Sequence, residues 1–341
     1  MIKPTKSGKV RDIYDLDIMA LTTTDRVSAF DSILDGTVPN KGIVLQTISN
    51  MWMKMFAPII KNHIITDDPN ILLSLGFDSQ IVNRTVIVQK HLMLPVECIV
   101  RGYYIPTSHS WDRYKIDNTI QGISLPLGLE ESQKLPHAIF TPTTKGTKDI
   151  PLEYEDLEDY ICLFLMENLI WKHIQDNPYK PASALIKSTE ILASKVTAKL
   201  KDVSIDLYTH AAEYADKKGI ILADTKLEFG IIIKDYVLGE VPEFELVLCD
   251  EAFTPDSSRY WDKATYEIGK TQQSMDKQFL RDYLRNELHW CGLKDGPVPR
   301  VPIEVFEKLS EIYKDICLRL FDKEQLLSTS NPMTMMAVFD F

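Results

Sequence analysis

At 341 residues and 45% apolar side chains, the chain is long enough for two packed domains and has the make-up of an ordinary globular protein. A formal net charge of −11 excludes wholesale binding to nucleic acid or to an anionic membrane, both of which call for a basic excess. The longest apolar stretch, about residues 160–174, is broken by Glu167, Asn168 and Lys172 and is too short and polar to cross a bilayer.

In chain order, short strand-like runs at Val10–Asp15, Ile18–Thr23 and Thr85–Lys90 flank one helical pattern, Leu45, Ile48, Trp52, Met55 and Phe56, stopped by Pro58. Residues 98–145 are rich in Gly, Pro and Ser, which predicts loops and short strands of the kind that carry binding residues. Glu153 to Ile174 reads as an amphipathic helix. A second helical stripe runs from Ser188 to Tyr214 and closes at Lys217-Lys218-Gly219. Two apolar strands follow, Ile220–Ala223 continuing to Ile233, and Phe244–Leu248. Ser274 is the expected N-cap of a helix carrying Leu280 and Leu284, and Pro302 opens a last helix. Strands and helices mix without regular βαβ alternation, so the expected class is α+β.

The expected organisation is two-lobed: a small β-rich lobe over residues 1–94 and a larger α+β lobe over 95–341, with a helical segment near 150–187. Five cysteines form no Cys-x-x-Cys pair, and three lie in apolar patterns. With no apolar signal core in residues 1–6, free thiols in a cytoplasmic protein are expected. Monomer and oligomer both remain open.

The chemistry concentrates in Asp224-Thr225-Lys226-Leu227-Glu228-Phe229-Gly230 and in Cys249-Asp250-Glu251 with Thr254-Pro255-Asp256-Ser257-Ser258-Arg259. Strand alternation sends Leu227 and Phe229 to one face and Asp224, Lys226 and Glu228 to the other. Two neighbouring strands that deliver Glu228 and Asp250 can hold Mg²⁺, which takes one or two carboxylates plus phosphate oxygens. Lys226 and Arg259 supply positive charge for an anionic substrate. A surface ladder of salt bridges is the plainer alternative.

Ser7-Gly8-Lys9-Val10-Arg11 forms either a surface turn or a cover for phosphates through backbone N–H groups and the lysine. Gln89 to Pro95 reads as a connector that can face adenine, with Val10 and Met93 against the ring and Lys90 beside it. Arg101 at a strand end can hold a phosphate or carboxylate, and Gly102 permits close backbone approach. His91, His109 and His137 show no zinc spacing.

These stretches, together with TTTDRVSAFD, VPNKG and SMDKQFLRDYL, resemble the SAICAR synthetase family in order over most of residues 7–111 and 205–285. The resemblance implies a ligase that uses ATP and Mg²⁺ to join aspartate to carboxyaminoimidazole ribonucleotide, with small molecules as its only partners. It also implies a small lobe similar to that of protein kinases. Carried over residue by residue, it assigns ATP to Gly8, Lys9, Val10, Arg11, Lys90 and Met93. Lys226, Glu228 and Asp250 become catalytic, with Glu228 and Asp250 on the metal. Arg101 and Ser108, or Ser110 in its place, hold the ribonucleotide phosphate, and Asp224, Asp256, Ser258 and Arg259 position the rest. Asp31 and Lys41 line the cleft. The chain departs from the family pattern after Lys145, where only Lys148-Asp149 is similar, in residues 150–187, and in the tail from Ser328. A small-molecule kinase and a nucleotide-binding scaffold are the rival readings.

Overall fold

A computed structural model describes residues 2–106, 111–146, 149–170, 182–234, 240–322 and 325–326. Strands β1 (Lys6–Ser7), β2 (Arg11–Asp15) and β3 (Met19–Thr23) lead into a hairpin of β4 (Arg26–Ala29) and β5 (Ser32–Thr37). Helix α1 (Lys41–Phe56) follows, then β6 (Lys61–Asn62), β7 (Ile64–Thr66) and a short helix α2 (Pro69–Ser74). Next come β8 (Thr85–Val88), β9 (Leu92–Met93) and the longer β10 (Val96–Tyr103). Beyond α3 (Tyr114–Asp117) lie β11 (Thr119–Ile120), β12 (Ile123–Ser124), β13 (Lys134–Phe140) and β14 (Thr143–Thr144). Helix α4 (Tyr154–Leu165) runs on into a π-helical turn, Met166–Ile170, and α5 (Ala182–Lys217) precedes the 15-residue β15 (Ile220–Lys234). The chain then forms β16 (Glu243–Cys249), β17 (Ser258–Asp262), α6 (Gln278–Asn286) and α7 (Ile303–Leu320). The class is α+β, as expected.

Among the described residues the strands form two main sheets. The smaller runs β1-β2-β3-β8-β7, and the larger runs β13-β10-β15-β16-β6, with β14 on β10 and both β9 and β17 on β15. Three parts of the segment before residue 94 belong with the larger sheet. Strands β6 and β9 pair with β16 and β15, and α1 packs into the main core. The reason is area. Trp52 alone meets Phe56, Phe253, Tyr214 and Phe321 with ring centroids 5.4–5.6 Å apart, a cluster the small sheet cannot cover.

Helix α5 lies across one face of the large sheet through Leu192, Val196, Leu200, Val203, Leu207 and Ala211. Leu157, Ile161 and Leu165 of α4 enter the same core, so the apolar face of this segment packs on the helical stripe; Trp171 lies outside the described residues. Ile161→Ala should cost about 2–5 kcal/mol of stability, read as a lower thermal midpoint with unchanged KM values. A selective rise in KM for aspartate would instead tie α4 to the substrate site.

Two sequence readings are corrected. Ser274 does not cap α6; it bridges to Trp261, and the Asp276 carboxylate accepts the Gln278 N–H at 2.7 Å instead. The cap moved because the chain pairs along β17 before it turns into the helix. Gly102 makes room for protein: a Cβ there would lie 2.0 Å from the Tyr208 hydroxyl, which donates to the Leu222 carbonyl at 2.7 Å.

A register shift in β15 decides which residues face the cavity. Leu222 pairs with Tyr260 but Asp224 pairs with Arg259, so two residues on β15 span one on β17. Upstream, Ile220 and Leu222 enter the α5 core; downstream, Leu227, Phe229 and Ile231 do. The bulge switches the alternation and turns Asp224 toward the open face, a common use of bulges next to sites.

Candidate active site

One register row across three strands sets Arg101, Asp224 and Arg259 side by side on β10, β15 and β17. Both arginines reach the same Asp224 oxygen, Arg101 Nη1 at 3.4 Å and Arg259 Nη1 in close contact. Arg101 also donates through Nε to Thr141 Oγ1 at 2.9 Å. Two guanidinium groups on one buried carboxylate leave the row cationic, the charge an anionic ligand needs. Burial lowers Arg101 to about 10, against the pull of Asp224.

Two residues further along β15, Lys226 donates to Glu97 Oε1 at 2.6 Å and lies 3.5 Å from Glu228 Oε1. Lys145 closes on Glu228 from the opposite side, and Arg11 does the same for Asp250 while lying 3.6 Å from Glu251. Asp250 ends β16 in the left-handed region, φ 61°, a conformation that asparagine and aspartate tolerate best. Burial and the charge of Asp250 hold the Glu228 carboxyl above its ordinary range. Burial also opposes ionisation of Asp250, but Arg11, Lys145 and Lys226 outweigh it and set its carboxyl below. Burial likewise opposes the charge on Lys226, yet Glu228 and Glu97 prevail and its ammonium is raised.

Buried Glu228 and partly exposed Asp250 are thus two acids that repel each other, a donor pair a hard divalent cation satisfies. Among the described residues no three His, Cys, Asp or Glu side chains converge as a metal cluster. A cation here would take two protein carboxylates and draw its remaining ligands from phosphate and water, which fits Mg²⁺ better than zinc.

These groups line a cavity of about 900 Å³. Of the residues singled out in the sequence, the structure brings to its wall Gly8, Lys9, Val10, Arg11, Asp31, Arg101, Asp224, Lys226, Glu228, Asp250, Asp256, Ser258 and Arg259. The Gly8–Arg11 turn closes through the Gly8 N–H on the Arg11 carbonyl at 2.7 Å. It is braced by Arg26, which donates to the Gly8 carbonyl at 3.2 Å and pairs with Asp12 at 2.8 Å. Lys9 meets Asp31 at 2.7 Å.

Lys90 and Met93 do not line this cavity. Lys90 is drawn to Asp15, and Met93 is fixed by the pairing of β9 with Gly230. Ser108 and Ser110 lie outside the described residues, as does Lys148, whereas Asp149 reaches the wall. The Asp256 carboxylate, on the wall, is surrounded by Lys41, Lys277 and Tyr313.

The sequence reading assigned no role to Glu97, Lys145, Glu251, Lys277 or Arg281, all on the wall. Period two along β10 puts Glu97 and Ile99 on the face of Arg101, and the i,i+4 spacing pairs Lys277 with Arg281, so both signals were available. Lys145 has none, because it arrives from a loop.

Comparisons with known proteins identify the family. A family model described as SAICAR synthetase matches residues 4–292. The phosphoribosylaminoimidazole-succinocarboxamide synthase of Geobacter sulfurreducens is 40% identical over 325 residues, covering 94% of this chain and 95% of its own. That of Pelobacter propionicus is 39% identical over 332 residues, covering 94% of each. The SAICAR synthase of Saccharomyces cerevisiae, solved in complex with SAICAR, superposes with a TM-score of 0.70 at 32% identity and covers 94% of each chain. A type-2 SAICAR synthetase solved with ADP shares the fold, with a TM-score of 0.56, 23% identity, and coverage of 93% of this chain and 97% of its own. The chain belongs to the SAICAR synthetase family, ATP-dependent ligases of purine biosynthesis.

Proposed function

We propose that the cavity joins the amino group of L-aspartate to the carboxylate of carboxyaminoimidazole ribonucleotide (CAIR), giving SAICAR, ADP and phosphate. The observation that carries this reading is the β15 row: a cationic Arg101–Asp224–Arg259 end and, two residues on, Lys226 between Glu97 and Glu228. Amide formation from a carboxylate is uphill without activation. A CAIR carboxylate oxygen attacks the γ-phosphorus of ATP and ADP leaves; the aspartate amine then attacks the acyl carbon and phosphate leaves.

The protein's part is alignment and charge stabilisation, as in other phosphoryl transfers. In this reading Gly8, Lys9, Val10 and Arg11 cover the nucleotide. Lys90 and Met93, outside the cavity wall, are assigned with Val10 to the adenine end alone. Lys226 neutralises charge on the transferring phosphoryl group. Arg101 holds the ribonucleotide phosphate with Ser108, and Asp224, Ser258 and Arg259 orient its ring and ribose. Glu228 and Asp250 would hold Mg²⁺, which supplies Lewis-acid neutralisation of the phosphates when bound. Lys145, Lys226 and Arg11, which cover those carboxylates here, then face the phosphates. No side chain acts as a nucleophile. The division into a small β-rich lobe and a larger lobe after residue 94, and a cytoplasmic location, belong to the same proposal; the separate small sheet and the free thiols support them, with α1, β6 and β9 packing across that boundary onto the larger lobe.

The test is ADP release from ATP with each acceptor omitted in turn. Release that needs both CAIR and aspartate supports the ligase; release with aspartate absent and a hydroxylated acceptor present supports a kinase. The kinase reading has less behind it, since Phe229 of Glu228-Phe229-Gly230 is buried in the core of a continuous strand.

Arg101→Ala should raise KM for the ribonucleotide about ten- to a hundredfold, the effect of losing one charge-assisted contact, and leave KM for ATP near its original value. Equal effects on both would mean that Arg101 only ties β10 to β15.

A further inference from the structure

Asp256 is held from three sides. Lys41, the first residue of α1, is fully buried with its ammonium 3.0 Å from Asp256 Oδ2. Lys277, just before α6, approaches the same oxygen at 3.3 Å from the cavity side. Tyr313 on α7 donates its hydroxyl to the other oxygen at 2.5 Å. A lysine that opens a helix faces the positive end of the macrodipole, and a wholly buried ammonium is costly unless paired. Both costs fall on this one contact.

Helix α7 pins the arrangement. Ser310, one turn before Tyr313, donates to the Pro39 carbonyl at 2.6 Å. A turn further back Phe306 packs on Gly36, where a Cβ would come within 2.5 Å of the ring. One face of the helix therefore fixes both the turn that leads into Lys41 and the carboxylate that Lys41 meets. The family model ends at residue 292, before this helix begins.

Two ammonium groups on one carboxylate oxygen leave one positive charge over. Lys41 does not line the cavity; Lys277 does, with Arg281 one turn on and Arg259 in the same wall. The neighbouring acids are engaged elsewhere. Asp276 accepts the N–H groups of Tyr260 at 2.8 Å and Gln278 at 2.7 Å, while Glu251 accepts the Thr254 hydroxyl at 2.5 Å and faces Arg11.

We propose that Lys41, held on Asp256 by Tyr313, is the counter-ion that leaves Lys277 available to an anionic group of an acceptor substrate. Lys41 and Tyr313 are positioning residues, and Lys277 is the contact. The anion is a carboxylate of aspartate or the phosphate of the ribonucleotide, because Lys277 holds Asp256, three residues before Arg259 of the cationic row, and shares the wall with Arg259 and Arg281. The inference rests on the ligase reading.

The experiment measures KM for all three substrates and the thermal midpoint in Lys41→Met, Tyr313→Phe and Lys277→Met. In Lys41→Met, Lys277 is the remaining ammonium on Asp256. KM for one acceptor, ribonucleotide or aspartate, should rise about tenfold with KM for ATP unchanged. Lys277→Met should show the same selectivity, and Tyr313→Phe a smaller rise in the same constant. Adding Asp256→Asn to Lys41→Met frees Lys277 again and should restore most of the lost affinity, which a purely structural role would not do. If Lys41→Met does not fold, Tyr313→Phe alone and the Lys41→Met/Asp256→Asn pair decide. Equal changes in all three KM values, a change for ATP alone, a lower thermal midpoint with unchanged KM, or no restoration would overturn the proposal. A wild-type enzyme that releases ADP without both acceptors would instead overturn the ligase reading, and this inference with it.

Discussion

Glu228→Ala and Asp250→Ala should each abolish turnover while leaving the fold intact. Removing one of two metal carboxylates takes away several kcal/mol of charge stabilisation in the transition state, a fall in kcat of about two orders of magnitude or more. The fold survives because neither change strands a buried charge. Without Glu228, Lys226 keeps Glu97 at 2.6 Å and Lys145 turns to solvent; without Asp250, Arg11 keeps Glu251. Asp250→Asn is the companion variant, since asparagine accepts the left-handed backbone at this position. The measurements are kcat at saturating Mg²⁺ and the thermal midpoint. Near-normal kcat in either variant removes the metal assignment.

Lys226→Met carries the second large effect. A cation preorganised at the point where charge develops is worth about 10²–10³ in kcat. This variant also costs stability, about 1–3 kcal/mol, because Glu97 loses its partner, with its side chain only 12% exposed. The two losses separate in Lys226→Met/Glu97→Gln, which should recover the thermal midpoint and none of the kcat. Recovery of kcat in the double variant would mean that Lys226 serves only to neutralise Glu97.

Much of the site was legible because a strand writes its faces into its sequence. Asp224, Lys226 and Glu228 alternate with Leu227 and Phe229, and the structure puts the first three on the cavity and the last two in the core. Glu228 and Asp250 meet because β15 and β16 pair in a register that sets Glu228 opposite Cys249. The acids that hold Lys226 in place were only half visible. Glu228 lies on its own strand, but Glu97 comes from β10, 129 positions earlier. The family resemblance supplied the roles of Lys90, Met93 and Asp256; the first two lie outside the cavity wall, and the Asp256 carboxylate on the wall meets Lys41, Lys277 and Tyr313.

By itself the sequence determined the class of the fold, the helical stripe that became α5, the amphipathic pattern of α4, and the charged face of β15. All of these follow from period and composition, which are local. Only the tertiary structure decided that α1 serves the larger core, that the bulge before Asp224 turns it to the cavity, and that a helix beyond residue 300 reaches Asp256 through Tyr313. Those depend on which distant surfaces are large enough to bury one another and on which cation reaches which acid. Buried charge is paired across the whole chain wherever folding brings opposite signs together, and no spacing along the sequence encodes that distance.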